Sequence, residues 1–195
     1  MKIAIGCLVA LVVVGLVVGL WVAGGYNKLV ALDEGVDAAW AQVENVYQRR
    51  ADLIPNLVAT VKGAAEFEQE TFTQVVEARS KVGQVSIEGT PSAAQLQAFQ
   101  QAQDGLSSAL SRLLVVVENY PDLKATQAFR DLQAQLEGAE NRIAVERNRY
   151  NEVAREFNTA RRALPTVFIA NFMGLEEKAY FQAAEGADEA PVVEF

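Results

Sequence analysis

Five polar side chains stand where a helical repeat asks for apolar ones: Arg50, Glu68, Arg79, Gln103 and Glu146. A charge withdrawn from water costs several kcal/mol unless it is paired and hydrogen-bonded. Such residues therefore either tie helices together or serve a ligand or a proton. We read Arg50 and Glu146 as a buried pair across neighbouring helices, fixing register as polar seam residues do in coiled coils. Other chemistry is curtailed by what the chain lacks. It has no histidine, and its single cysteine, Cys7, lies in an apolar stretch. That removes Cys/His zinc sites, His-ligated haem, Ser-His-Asp and Cys-His catalysis, and the Glu-x-x-His pairs of di-iron bundles. Asp and Glu pairs remain as acid and base or as oxygen ligands for magnesium, but no spacing singles out one pair. No catalytic, metal or cofactor-binding residue is assigned, and the chain reads as a non-enzyme without a cofactor.

The remaining polar candidates suit recognition better than reaction. Asn151 and Asn158 are seven apart, beside Tyr150 and Phe157. They either bond a neighbouring helix or form a partner-binding ridge. The strings DLIPNLV and ENYPDLK place Pro55 and Pro121 beside Asn56 and Asn119. Proline removes a backbone donor and leaves a carbonyl of the preceding turn without its helical partner, which Asn56 and Asn119 are placed to satisfy. These are kinks and turns, or alternatively a surface for another membrane protein. The end, Val192-Val193-Glu194-Phe195, alternates apolar residues up to a carboxylate. It either packs on its own domain or, with Phe195 last, adds a strand to a PDZ-type sheet edge.

These residues hang from an uncharged run, residues 3–25. As a helix it spans roughly 34 Å at ~1.5 Å per residue, enough for a hydrocarbon core of about 30 Å. A signal peptide has a shorter apolar core of about 7–15 residues, so the run reads as a retained single-pass anchor in the bilayer. Trp21 and Tyr26 suit its interfacial end. Gly15, Gly19 and Ala23 fall four apart on one face, a spacing that lets two membrane helices approach and permits a homo-oligomer. Lys2 is the only charged residue before Tyr26, so all 25 acidic residues and the rest of the 17 basic ones follow it. That acidic balance argues against nucleic acid, which needs a basic footprint, and against adhesion to anionic lipid. Lys2 and Lys28 flank the run almost evenly. The expected orientation is N-terminus inside and domain outside a bacterial inner or cell membrane.

Beyond the anchor the chain reads as helix almost throughout, and as all-α. Val36, Trp40, Val43, Tyr47, Arg50, Ile54, Leu57, Val61, Ala65, Glu68, Phe72, Val75 and Arg79 step by three and four without a phase slip. Pro55 interrupts this seam. Either one long helix kinks there, which the unbroken phase favours, or two helices join at residues 50–52 with Asp52 as N-cap. Residues 83–91 form a loop. A third segment carries Leu96, Phe99, Gln103, Leu106, Leu110, Leu113, Val117 and Tyr120 on one seam and ends at Pro121. A fourth runs from about Asp122 to Leu164 and closes at Pro165. Its arginines and glutamates interleave as a solvated ion-pair face. Short connections imply antiparallel neighbours. The expected product is an anchor over 1–25, an elongated antiparallel bundle of four long segments over 26–164, and a tail over 165–195. In that tail Val167, Phe168, Ile169, Phe172, Met173 and Leu175 either cap the bundle or dock on a partner or the bilayer; capping is the simpler reading.

Five strings stand together in order: YNKLVALDEGVDAAWAQV (26–43), RRADLIPNLVATVKG (49–63), VENYPDLKA (117–125), ENRIAVERNRYNEVAREFN (140–158) and PVVEF (191–195). With the anchor they resemble the LemA family of bacterial membrane-anchored proteins across nearly the whole chain. The resemblance implies a helical bundle of four segments and no established enzymatic activity. It also implies membrane-organising work, because such relatives include a protein of magnetosome membranes. Two positions depart from the pattern: Phe67 stands where many relatives have histidine, and Leu164 precedes Pro165 where an aromatic is more usual. The function expected is a membrane-tethered scaffold or adaptor for other membrane proteins, with a homo-oligomeric membrane-organising protein as the alternative.

Overall fold

The structure, a computed structural model, describes residues 2–62, 69–87 and 89–182. Among them are six helices and no strand: α1 (Lys2–Lys62), α2 (Gln69–Gln84), α3 (Ala93–Val117), α4 (Pro121–Lys124), α5 (Gln127–Arg162) and α6 (Thr166–Phe172). Ala65, Phe67, Glu68 and the terminal string with Phe195 lie outside the described residues.

α1 changes character along its length. Its first part is apolar and unburied, with Leu11, Leu16 and Leu20 open, and it is long and apolar enough to cross a membrane. Its second part is amphipathic and buries Leu29, Val36, Trp40, Val43, Tyr47, Arg50, Ile54, Leu57 and Val61, spaced as one helical face requires. The helix continues through Pro55, so the alternative of two helices meeting at residues 50–52 is corrected. Asp52 is no cap; its carboxylate accepts from Gln48 Nε2 at 2.8 Å within the helix.

The break comes later. α1 ends at Lys62, before Gly63, and α2 comes back along it. The Lys62 ammonium lies 5.5 Å from the centre of the Phe72 ring, and Arg79 reaches the carbonyl of Ala51. Phe72 and Val75 were expected to extend the first seam. They bury the same kind of apolar face on a helix that doubles back, which periodicity alone does not distinguish from one that runs on.

Local chemistry sets the other ends. Ser92 and Gln95 close a capping box at the start of α3. Pro121 was expected to end that segment; α3 instead stops at Val117, and Pro121 opens the one-turn α4, where a missing N–H costs nothing. Thr126 caps α5, its hydroxyl accepting from Phe129 N, so the expected fourth segment starts at Gln127 rather than Asp122.

α5 lies along α1 with residue numbers running in opposite senses. Trp40 meets Tyr150, and ten residues further along α1 Arg50 meets Glu140, ten residues back along α5. Two main cores result. One joins Ile54, Leu57, Val61, Phe72, Val75, Leu106, Leu110, Leu113, Phe129, Leu132 and Leu136; the other joins Val36, Trp40, Val43, Tyr47, Phe99, Tyr150, Phe157 and Phe181. A small third core packs Leu29 against Ile169 and Ala170 of α6.

Gly174 turns the chain out of α6. At φ +68° it occupies the left-handed region, and its N–H and that of Leu175 reach back to the carbonyls of Asn171 and Ala170. This is a Schellman closure, which glycine adopts at no steric penalty. The apolar stretch expected to cap the bundle therefore divides: Ile169 is buried, whereas Phe168 and Phe172 are exposed.

Candidate partner-binding surface

Arg50 is the centre of a polar layer between the two main cores. It is buried, and its guanidinium donates to Ser107 Oγ at 2.9 Å, to Glu140 Oε1 at 2.5 Å and to Gln103 Oε1. The Tyr47 ring centroid lies 5.2 Å from its Cζ. One side chain of α1 thus binds α3 twice and α5 once. The pairing expected with Glu146 is corrected: Glu146 sits 3.9 Å from Arg149 of its own helix. It lies six residues beyond Glu140, about 9 Å along the axis at ~1.5 Å per residue. Gln103 is buried as a seam residue should be, while Arg79 is exposed.

Arg79 has another use. Pro55 has no N–H for the carbonyl of Ala51, four residues back, and Arg79 Nε donates to that oxygen at 3.2 Å. Neither neighbouring asparagine does this. Asn56 is exposed and its own carbonyl accepts from Thr60 Oγ1, while the Asn119 N–H bonds the carbonyl of Val116. Pro55 and Pro121 are likewise exposed.

Asn151 and Asn158 form a clamp. Asn151 donates from Nδ2 to the carbonyl of Phe181 and accepts at Oδ1 from the Phe181 N–H, at 3.0 and 2.9 Å. Asn158 repeats the pattern with Lys178, at 2.9 Å in each direction. Each amide pairs with that backbone as a detached peptide group would, and Asn158 Nδ2 donates in addition to the Tyr180 hydroxyl at 2.8 Å. The spacing matches: seven helical residues rise about 10.5 Å, and three extended residues cover roughly 10 Å. The segment 175–182 is held further by Arg161 and Arg147 donating to the carbonyls of Leu175 and Gln182, and by Lys178 Nζ 2.7 Å from Asp33. The ridge expected to face a partner or a neighbouring helix is therefore occupied by the chain's own C-terminal segment. The sequence carried the spacing of the asparagines but no signal of what they hold.

Phe181, fixed this way, stacks on Trp40 and meets Tyr150 edge-on. Burial, with Asp37 and Tyr180 adding to it, pushes the Tyr150 hydroxyl up to about 12, and among the described residues that hydroxyl has no hydrogen-bond partner. Beside this core an open cleft of about 660 Å³ is lined by Glu44, Tyr47, Gln48, Arg79 and Phe99. Burial raises both the Glu44 carboxyl and the Tyr47 hydroxyl above their usual ranges, the Trp40 indole partly offsetting the first and Arg147 and Arg50 the second. Among the described residues no cluster of three or more His, Cys, Asp or Glu converges. Gly15 and Gly19 look onto open space, and Ala23 is exposed on the same face.

Similarity to known proteins follows the same span. A model of the LemA family matches residues 39–195. Magnetosome protein MamQ 2 of Paramagnetospirillum magneticum is 26% identical over 186 residues, 86% of this chain and 68% of that protein. Magnetosome protein MamQ of Magnetospirillum gryphiswaldense gives the same identity and coverage. Protein LemA of Metamycoplasma hominis is 25% identical over 162 residues, 83% of this chain and 71% of that one.

Proposed function

The chain belongs to the LemA family, and from that premise we propose that it is a membrane-tethered helical scaffold or adaptor for other membrane proteins. One observation carries the reading: α1 is a single helix whose unburied apolar part runs without a loop into the face that builds both main cores. Residues 3–25 cross a bacterial inner or cell membrane once, and an antiparallel bundle of four long segments stands on its outer side. The tail from residue 165 begins as a cap on that bundle. No step of catalysis is assigned; the bundle presents surface rather than chemistry. The acidic exterior disfavours nucleic acid and leaves proteins as the partners.

Cross-linking in intact cells followed by capture of the full chain tests this. A defined set of membrane proteins that saturates with cross-linker dose is the expected result. A clean monomer without neighbours, in cells and in gentle detergent, overturns it.

A second reading is self-association, favoured by the open face of Gly15, Gly19 and Ala23. With Cys7→Ser as background, Gly15→Cys or Gly19→Cys should then form disulfide dimers that cysteines on the opposite face do not. Dimers without face preference remove the motive.

A further inference from the structure

Three widely exposed apolar side chains share one end of the molecule. Leu164, Phe168 and Phe172 are 78%, 69% and 93% exposed and fall four apart, so the two phenylalanines project from one face of α6. The remaining face of α6 is committed. Ile169 and Ala170 are buried against Leu29, and a Cβ added at Gly25 would stand 2.7 Å from Ile169 Cδ1. Those contacts set the height of α6: it lies beside the last residues of the apolar run, level with Tyr26 and about one turn from Trp21. Both of those rings are substantially exposed, and both are residue types that collect where bilayer meets water. Residues 163–175 carry no charge, and charge returns only with Glu176 and Glu177.

We propose that α6 lies in the interfacial layer of the bilayer, with Leu164, Phe168 and Phe172 inserted among the lipids. The occupant of this face is lipid because the helix that crosses the membrane is the one α6 packs on. The exposed rings thus emerge where the bilayer ends, not along the flank of the bundle. Exposed apolar residues elsewhere, such as Val76, Val115 and Val145, are scattered singly, as on any protein surface. An interfacial helix buries its apolar face about 5–10 Å into the boundary of headgroups and acyl chains. The protein then meets the membrane at two points, α1 and α6, which together fix how the bundle leans. The inference rests on the reading of α1 as the membrane-crossing helix, and the test separates the two.

The full chain, with Cys7→Ser as background, is reconstituted into vesicles of phosphatidylcholine and phosphatidylglycerol. A nitroxide is placed at Phe168→Cys, Phe172→Cys, Val12→Cys, Leu16→Cys or Val145→Cys, and its collisions with oxygen and with a water-soluble nickel chelate are measured. Positions 168 and 172 should be rich in oxygen and poor in nickel, at a depth of roughly 5–10 Å below the phosphates. Positions 12 and 16 should lie deeper, and 145 should be open to nickel. If 168 and 172 match 145 while 12 and 16 stay deep, the placement of α6 is overturned and the tether stands. Shielding of 168 and 172 from both reagents means that a protein covers them, which also overturns it. Nickel access at 12 and 16 removes the tether itself and the inference with it. Should a label disturb the far-ultraviolet circular dichroism, Leu164→Cys, outside α6, replaces it.

Discussion

The two main cores on either side of Arg50 are built differently. The one farther from the apolar end of α1 is almost wholly aliphatic and is enclosed by helices: Ile54, Leu57 and Val61 meet Leu106, Leu110, Leu113, Leu132 and Leu136. The nearer one is a nest of rings, Trp40, Tyr47, Phe99, Tyr150, Phe157 and Phe181, and part of its wall is the non-helical segment 175–182. Aliphatic side chains fill space with little demand on orientation, and cores tolerate exchange among them if volume is kept. Rings prefer edge-to-face or offset contacts, so Trp40 needs Phe99 and Tyr150 edge-on and Phe181 stacked, each at its own angle. Phe181 is held there by Asn151 on its own backbone and by Asn158 on that of Lys178, three residues back. The near core is therefore specified by hydrogen bonds, the far core by volume.

That contrast is broken or sharpened by substitution. Trp40→Ala should cost about 3–5 kcal/mol, against about 0.5–1.5 kcal/mol for Ile54→Val in the far core. Urea unfolding checks both, and a Trp40→Ala cost no larger than that of one methyl at Ile54 would show that the ring cluster is not packed. Arg50→Ala, in the layer between them, should also cost about 3–5 kcal/mol, because it leaves three polar groups on two other helices without their partner. Glu140→Gln should cost about 1–3 kcal/mol, because it keeps an acceptor but leaves the buried Arg50 guanidinium without that countercharge. A loss below about 1 kcal/mol for Arg50→Ala would remove the buried layer.

Asn158→Ala should cost about 1–3 kcal/mol by leaving the Lys178 N–H and carbonyl unmatched. Hydrogen exchange should quicken at residues 175–182 and stay unchanged at 106–113. Tyr150 supplies a pH signature of the near core alone. Its folded pKa is raised to about 12 from 10. Its contribution is therefore fully present below pH 10 and lost as pH rises through about 12, at most roughly 2–3 kcal/mol. Tyr150→Phe should flatten that alkaline limb while holding stability at neutral pH, because the hydroxyl it removes has no partner among the described residues. Gly174→Ala should cost about 1–2 kcal/mol through its left-handed backbone, again loosening 175–182 and sparing the far core.

Much of this was legible in the chain, for physical reasons. The burial of Val36, Trp40, Val43, Tyr47, Arg50, Ile54, Leu57 and Val61 follows from helical spacing, and so does that of Gln103. What spacing leaves open is direction. Phe72 and Val75 keep the phase of a helix that has already turned back. Arg50 has candidate partners every turn along α5, and only the register of Trp40 against Tyr150 selects Glu140. The clamp escaped for a related reason: Asn151 and Asn158 bind backbone, and backbone has no residue type to announce it. Arg79 was read as a seam residue because its spacing fits one, whereas its role is to answer the carbonyl that Pro55 leaves open.

One continuous helix has a consequence for geometry. With 3.6 residues per turn, a single residue inserted between Gly25 and Leu29 would swing everything above it by about 100° relative to the face of Gly15, Gly19 and Ala23 below. α1 runs through that stretch as one uninterrupted helix, so the rotation would pass along it, and Ile169 would lose its seat over Gly25. The azimuth of the helices packed on α1, and so the compass bearing of every surface they offer, is written in the residue count of that short stretch.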